Sequence, residues 1–258
     1  MPKPGNVPPR QDLKNRVYRW IVALGTFFLR VIDARRTVSG TEHIPAEGGV
    51  VLAITHFSYL DFVLAEWAIW RDRQRYTRFM ATMEAFRHPV GGPLMKSMGH
   101  IPVDREAGAS AYRYAIDALQ RGEMVGVFPE TRVTRSFELL PFKNGAARMA
   151  AQSGAPIVPC VIWGSHRVMT RTRKTKLRTS RHTPISITFG PPIYVSADDD
   201  PTIVTEKLQQ TMDDMLRAAQ ESYPDQQPGA WWEPARRGGT APTPEQAAAI
   251  DQRKKDTA

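Results

Sequence analysis

A histidine and an aspartate five residues apart, His56 and Asp61, are the side chains of this 258-residue chain best suited to moving a proton. They fall in Thr55-His56-Phe57-Ser58-Tyr59-Leu60-Asp61, which directly follows the apolar run Val50 to Thr55. An unbroken apolar run of this length reads as a buried parallel strand, and open α/β sheets gather their reactive groups at the carboxyl ends of strands. A spacing of five is poor for contact within one helix, but it works when the chain turns between the two residues. With Ser58 as N-cap, Asp61 enters the first helical turn and His56 stays in the loop before it. The carboxylate then accepts from one imidazole nitrogen, fixes the tautomer and raises the basicity of the other nitrogen, which takes a proton from an incoming hydroxyl. Taken alone, the spacing is one that chance produces often, and it reads more readily as a core histidine bonded to a nearby carboxylate.

Other chemistries find less support. Cys160 is the single cysteine, which rules out an intrachain disulfide and a Cys-rich metal site and suits a reducing cytoplasm. It lies in the apolar stretch Pro156 to Trp163, beside Pro159, so it reads as an inert core residue. Ser58 lacks the Gly-x-Ser-x-Gly elbow of a hydrolase. His43, His88 and His100 share no ligand spacing with His56, and no metal or cofactor is expected. The net charge of +9 and pI near 9.9 favour an anionic partner. Arg167 to Arg181 carries Arg171, Arg173, Lys174, Lys176 and Arg178 with no acidic residue. It also has no aromatic residue for base stacking, so a nucleic-acid partner is not expected. An anionic leaflet, at ~1 kcal/mol per basic residue near the surface, explains the stretch more simply.

The elements that must position the pair follow from periodicity. Val17, Trp20, Ile21, Leu24, Phe27, Phe28 and Val31 recur at helical spacing, bracketed by Arg16, Arg19 and Arg30. The pattern predicts an amphipathic helix that lies in a membrane interface or packs on the domain, and it is too short and too charged to span. Then helices and strands alternate: strands over Val50 to Thr55, Arg78 to Thr82, His100 to Val103, Met124 to Phe128, Pro156 to Trp163 and Ile185 to Phe189. Helices are predicted over Leu60 to Arg73, Ser110 to Gln120, Gly145 to Gln152 and Pro201 to Ser222, with a Gly/Pro-rich turn at Pro89 to Pro93. This alternation predicts an α/β fold, a single domain with a mostly parallel sheet flanked by helices. The expected division is an N-terminal extension and interface helix over 1–36, the main domain over 37–222, and a Pro-rich, partly ordered tail over 223–258. Trp231 and Trp232 are odd in such a tail, so it is expected to dock on the domain or on the membrane interface.

Read in order, five segments resemble the glycerolipid acyltransferase superfamily, and within it the bacterial, PlsC-like lysophosphatidic acid acyltransferases. The His56–Asp61 segment is similar to the first motif. Gly99-His100-Ile101-Pro102-Val103-Asp104-Arg105 is similar to the second, and Phe128-Pro129-Glu130, with Arg132 and Arg135 beyond it, to the third. Ile157-Val158-Pro159 looks like the fourth, and Phe142-Lys143-Asn144-Gly145 resembles a further Phe-Lys-x-Gly element. The likeness covers roughly residues 41–192. The tail around Trp231-Trp232-Glu233-Pro234-Ala235-Arg236 is similar to that of actinobacterial members. The third motif departs from the usual Phe-Pro-Glu-Gly-Thr-Arg-Ser: Thr131 and Arg132 stand in the Gly and Thr places and Val133 in the Arg place. The arginine role then falls to Arg132, to Arg135, or to both.

The resemblance implies transfer of a fatty acyl group from acyl-CoA or acyl-ACP, as co-substrate, to the hydroxyl of 1-acylglycerol 3-phosphate. Glycerol 3-phosphate or a glycolipid is the alternative acceptor, and a non-catalytic protein that binds anionic lipid is the rival outside catalysis. In this reading His56 is the general base and Asp61 its orienting carboxylate. Arg105, with Arg132 or Arg135, holds the acceptor phosphate, because the guanidinium fork matches phosphate oxygens. Glu130 bonds a glycerol hydroxyl or anchors the arginines, and Lys143 is a further phosphate contact or a helix-start lysine. The expected location is the cytoplasmic face of the cell membrane, peripheral or monotopic.

Overall fold

Strands buried on both faces carry the centre of this fold, as their unbroken apolar sequences require. The computed structural model describes residues 16–31, 33–89, 91–104, 108–173 and 180–256. Seven strands form one sheet: β1 (Arg35–Ser39), β2 (Val50–Ile54), β3 (Thr77–Thr82), β4 (Ile101–Val103), β5 (Met124–Val127), β6 (Ile157–Trp163) and β7 (Pro184–Phe189). Their order across the sheet is β1-β7-β6-β2-β5-β3-β4. Every neighbouring pair is parallel except β6 with β7. The fold is therefore the expected α/β domain with a mostly parallel sheet.

Because side chains alternate along a strand, β2, β5 and β6 feed two cores at once. Val51, Ala53, Val125, Ile157, Val161 and Trp163 face α5 (Gly108–Gln120), α6 (Gly145–Ser153) and α7 (Pro201–Glu221). Val50, Leu52, Ile54, Val158, Cys160 and Ile162 face α2 (Asp61–Arg73), through Leu64, Ala65, Ala68 and Ile69. Asp200 caps α7 by accepting from Thr202 N at 2.7 Å, with Pro201 at its first position.

Two expectations need correction, and one strand was not foreseen. Pro89 to Pro93 is not a simple turn between strands, because two short helices occupy that region, α3 (Met83–Arg87) and α4 (Gly91–Ser97). Ser58 is not the N-cap of α2. Leu60 holds that position, and Ser58 Oγ instead accepts from Leu60 N at 3.0 Å, closing a tight turn before the helix. An additional edge strand, β1, precedes β2 in a segment with only one aliphatic residue, Val38.

The N-terminal helix α1 (Arg16–Val31) is 16 residues long, or about 24 Å at 1.5 Å per residue, short of a ~30 Å hydrocarbon core. No helix among the described residues is long and apolar enough to cross a membrane. It approaches α2 closely at Gly25, where an added Cβ would meet Val63 at 3.0 Å. Trp20, Leu24 and Phe27, at helical spacing, are 74%, 68% and 63% exposed.

The segment after α7 returns to the domain. Trp232 is 3% exposed and packs in the core that holds Trp163 and Tyr223, with Arg167 stacked over its ring at 4.2 Å. A last helix, α8 (Pro244–Asp256), follows.

Candidate active site

Three adjacent parallel strands, β6, β2 and β5, deliver their carboxyl ends to one edge of the sheet, and the candidate site is built from the loops that leave them. His56 and Asp61 follow β2, the loop from Phe128 to Asn144 follows β5, and Gly164 to Arg173 follows β6. Asp61 is fully buried at the start of α2. Its Oδ2 accepts from the main-chain N–H of Phe57 and Ser58, both at 2.8 Å, and its Oδ1 accepts from Ser165 Oγ at 2.7 Å. Three donors compensate the buried charge. The imidazole of His56 stacks on Phe128 with ring centroids 3.9 Å apart, and its side chain is 18% exposed. Its Nδ1 is shielded from solvent, makes no hydrogen bond among the described residues, and lies 3.8 Å from Asp61 Oδ2. That distance is too long for a hydrogen bond, yet Asp61 is the carboxylate it faces. Catalytic contacts of this kind commonly tighten only when substrate is bound.

The main chain holds this loop from both sides. Glu130 Oε1 accepts from His56 N at 2.9 Å and its Oε2 from Leu140 N at 3.0 Å. Thr134 N donates to His56 O at 3.0 Å. From the β6 side, Thr170 Oγ1 donates to Phe57 O at 3.2 Å, and Ser58 Oγ donates to Met169 O at 2.6 Å. Glu130 is 3% exposed. Burial pushes its carboxyl up to about 8, despite the two main-chain hydrogen bonds that pull it down, and the charge on Asp61 adds to the rise. With both oxygens engaged by backbone, Glu130 anchors no arginine among the described residues. Its geometry is that of a residue that positions His56.

The arginines converge on a partner the sequence did not suggest. Arg135 is 6% exposed and its Nε donates to Asp251 Oδ1 at 2.7 Å. Arg171 Nη1 lies 3.2 Å from the same carboxylate, and Arg132 Nη1 lies 3.7 Å from it. Burial raises the Asp251 carboxyl, but the hydrogen bond from Arg135 and the charges of Arg171, Arg135 and Arg132 hold it below its ordinary value. Lys143 is exposed just ahead of α6 and makes no ion pair among the described residues, while its N–H donates to Pro129 O at 3.0 Å. Arg105 lies outside the described residues, as do Lys174, Lys176 and Arg178.

Thr131, in the place where the third motif usually has glycine, sits at φ 61°. The backbone there keeps the left-handed conformation that glycine adopts without strain. Ser165, Thr134, Arg171 and Asp251 escaped the sequence reading as site residues. Ser165 follows the carboxyl end of a central strand, a position that could have flagged it. Asp251, 116 residues from Arg135, left no such trace. Among the described residues no cluster of three or more His, Cys, Asp or Glu side chains is placed to hold a metal ion.

The profile of the family described as Acyltransferase matches residues 35–163, which is 129 of the 258 residues, and spans β1 to β6 with both His56 and Glu130. The chain belongs to the acyltransferase family. Among relatives of this acyltransferase, the 1-acyl-sn-glycerol-3-phosphate acyltransferase of Bacillus subtilis is 34% identical over 142 residues, 55% of this chain and 69% of that one. The protein of the same name from Neisseria gonorrhoeae is 30% identical over 145 residues, 54% of this chain and 53% of that one. The chain thus spans about half the length of the Neisseria relative and 69% of the Bacillus one. In fold, the acyltransferase is similar to the 1-acyl-sn-glycerophosphate (LPA) acyltransferase PlsC from Thermotoga maritima, with a TM-score of 0.67 and 19% identity. That match covers 80% of this chain and 81% of that one.

Proposed function

We propose that this acyltransferase moves a fatty acyl group from a thioester, carried on coenzyme A or an acyl carrier protein, to the free hydroxyl of 1-acylglycerol 3-phosphate. The observation that carries the reading is a partly accessible imidazole whose hidden nitrogen faces a fixed carboxylate, in a chain whose relatives bear that acceptor in their names. With Nδ1–H turned toward Asp61, His56 Nε2 takes the proton of the acceptor hydroxyl. The hydroxyl oxygen bonds to the thioester carbonyl carbon, the tetrahedral intermediate collapses, and the C–S bond breaks. The leaving thiolate takes the proton back from the imidazolium, so the histidine ends as it began. Base catalysis of this type is worth about 10²–10⁴-fold, and positioning of both substrates supplies a further share.

The acceptor phosphate meets Arg105 with Arg132 or Arg135, or both, and Lys143 is a further phosphate contact. The enzyme works at an anionic membrane surface, on its cytoplasmic face, held there by the exposed row of Trp20, Leu24 and Phe27 with Arg19 and Arg30 beside it. Purified full-length chain is given an acyl-CoA and, in turn, 1-acylglycerol 3-phosphate, glycerol 3-phosphate and no acceptor. Thiol release should depend on the first acceptor and vanish in His56→Ala. Acceptor-independent thiol release, or activity retained without His56, would reject the reading. Pelleting with phosphatidylglycerol vesicles tests the membrane component, which Leu24→Asp with Phe27→Asp should weaken.

A further inference from the structure

The carboxylate of Asp251 is the feature of this site for which the transfer chemistry has no evident use. It comes from α8, yet it is 8% exposed and lies among three guanidinium groups from two other loops. Those loops are fastened to the catalytic loop through neighbouring residues. Thr134, which donates to His56 O, precedes Arg135, and Thr170, which donates to Phe57 O, precedes Arg171. The cluster therefore keeps a fixed relation to the imidazole.

Its charge favours one class of ligand. Three arginines and one aspartate sum to +2, and a phosphate monoester carries about −1.5 to −2 near neutral pH. Arg135, almost wholly buried, could not stand in this place without a counter-charge, since an uncompensated buried cation is strongly unfavourable. Asp251 supplies that charge and takes the Nε donor. Arg171 and Arg132, 33% and 42% exposed, keep donors on the open side. Arg132, at 3.7 Å, is attracted but not hydrogen-bonded, so its fork remains available.

We propose that Asp251 is a positioning residue that gathers Arg132, Arg135 and Arg171 into the seat for the acceptor's phosphate, with Arg171 as an arm of that seat. The proposal rests on the acceptor reading above, and its test separates the two. Binding of a water-soluble, short-chain 1-acylglycerol 3-phosphate to the full chain is measured by calorimetry with no thioester present, and transfer is read separately as thiol release. Asp251→Asn should weaken binding about tenfold and raise the KM for the acceptor by a similar factor. It should leave kcat within about twofold and the KM for acyl-CoA unchanged. Asp251→Glu should recover part of the affinity, and Arg171→Gln should lose it as Asp251→Asn does. Should Asp251→Asn fail to fold, as judged by near-ultraviolet circular dichroism, the other two variants decide the matter. Binding that is unaltered in the variants, or absent in the parent, overturns the proposal. Tighter binding in Asp251→Asn overturns it as well, by making Asp251 a competitor that the phosphate must displace. Phosphate binding that depends on Asp251, in a chain that never releases thiol, would leave this proposal standing and remove the transferase reading alone.

Discussion

Removing His56 and altering Asp61 should fail in different ways. His56→Ala removes a ring stacked on Phe128 but breaks no hydrogen bond made by the imidazole's hidden nitrogen, so activity should vanish while the thermal midpoint moves little. Asp61→Asn keeps one oxygen for the N–H groups of Phe57 and Ser58, and Ser165 can turn its hydroxyl to accept from the new amide. The fold should survive with a loss of about 1–2 kcal/mol, because neutral acceptors are weaker than charged ones. The kcat should fall about 10²–10⁴-fold for want of the anion beside Nδ1. Urea unfolding and steady-state rates on the same preparations check both halves. At Thr131 the left-handed backbone costs a β-branched residue about 1–2 kcal/mol, and the greater freedom of an unfolded glycine returns about 0.5–1 of that. Thr131→Gly should therefore raise stability by about 0.5–1 kcal/mol, seen as a higher urea midpoint. The spacing of His56 and Asp61 was legible because it sits on a short turn after an apolar strand. The convergence of Arg135 and Asp251 was not, since a pair joined only by the fold leaves no periodic pattern in sequence.

At the scale of elements, the most legible strands were β2, β5 and β6, because burial on both faces forces an apolar run. β1 was missed for the opposite reason: it is an edge strand of alternating exposure, Arg-Arg-Thr-Val-Ser, with little to distinguish it from loop. α3 and α4 are five and seven residues long, too short for a helical period to emerge, and Gly91, Gly92 and Pro93 obscure them further. The segment after α7 is polar and rich in proline, yet it is fastened by two buried aromatic residues, Tyr223 and Trp232, and by His166 Nε2 at 3.1 Å from Trp232 O. Trp232→Ala should thus cost about 3–5 kcal/mol, the range for an aromatic removed from a packed core. Trp231→Ala, at a half-buried site, should cost clearly less. Paired urea titrations decide it, and equal losses would mean that the segment is not anchored at Trp232.

Over the whole molecule, three fully buried groups among the described residues, with large shifts, dominate how stability varies with pH between about 4.5 and 8. Burial raises Glu130 to about 8, so the folded chain keeps a proton that the unfolded chain releases near 4.5. That stabilisation is full below about 4.5 and is lost as pH rises toward 8. Burial, with the charge of Arg78, lowers His100 to about 3. Burial likewise lowers His166 to about 3, outweighing its contact with Trp232, which acts in the other direction. Stabilisation from the two histidines is full above about 6.5 and is lost as pH falls toward 3. Each group contributes about 1.4 kcal/mol per pH unit inside its window. Between pH 4.5 and 6.5 the two histidines outweigh the carboxyl, for a net loss of about 1.4 kcal/mol per unit of acidification. Between 6.5 and 8 Glu130 acts alone and the loss runs toward alkali, so unfolding free energy should peak near pH 6.5. In His166→Gln the remaining histidine and Glu130 cancel, and the acid side should flatten between 4.5 and 6.5. Urea unfolding at pH 5, 6.5 and 8 checks both curves.

The loop that bears His56 is held through its own backbone N–H and C=O groups on nearly every contact, with Asp61, Glu130, Ser58 and Thr170 as the side chains involved. Such a scaffold tolerates substitution at the positions between those contacts. Residues 131–133 lie between those contacts, so substitutions there should leave the Thr134 N to His56 O bond in place. If acyl transfer runs as proposed, exchanging the 131–133 segment between relatives should change which acceptor is used before it changes whether thiol is released.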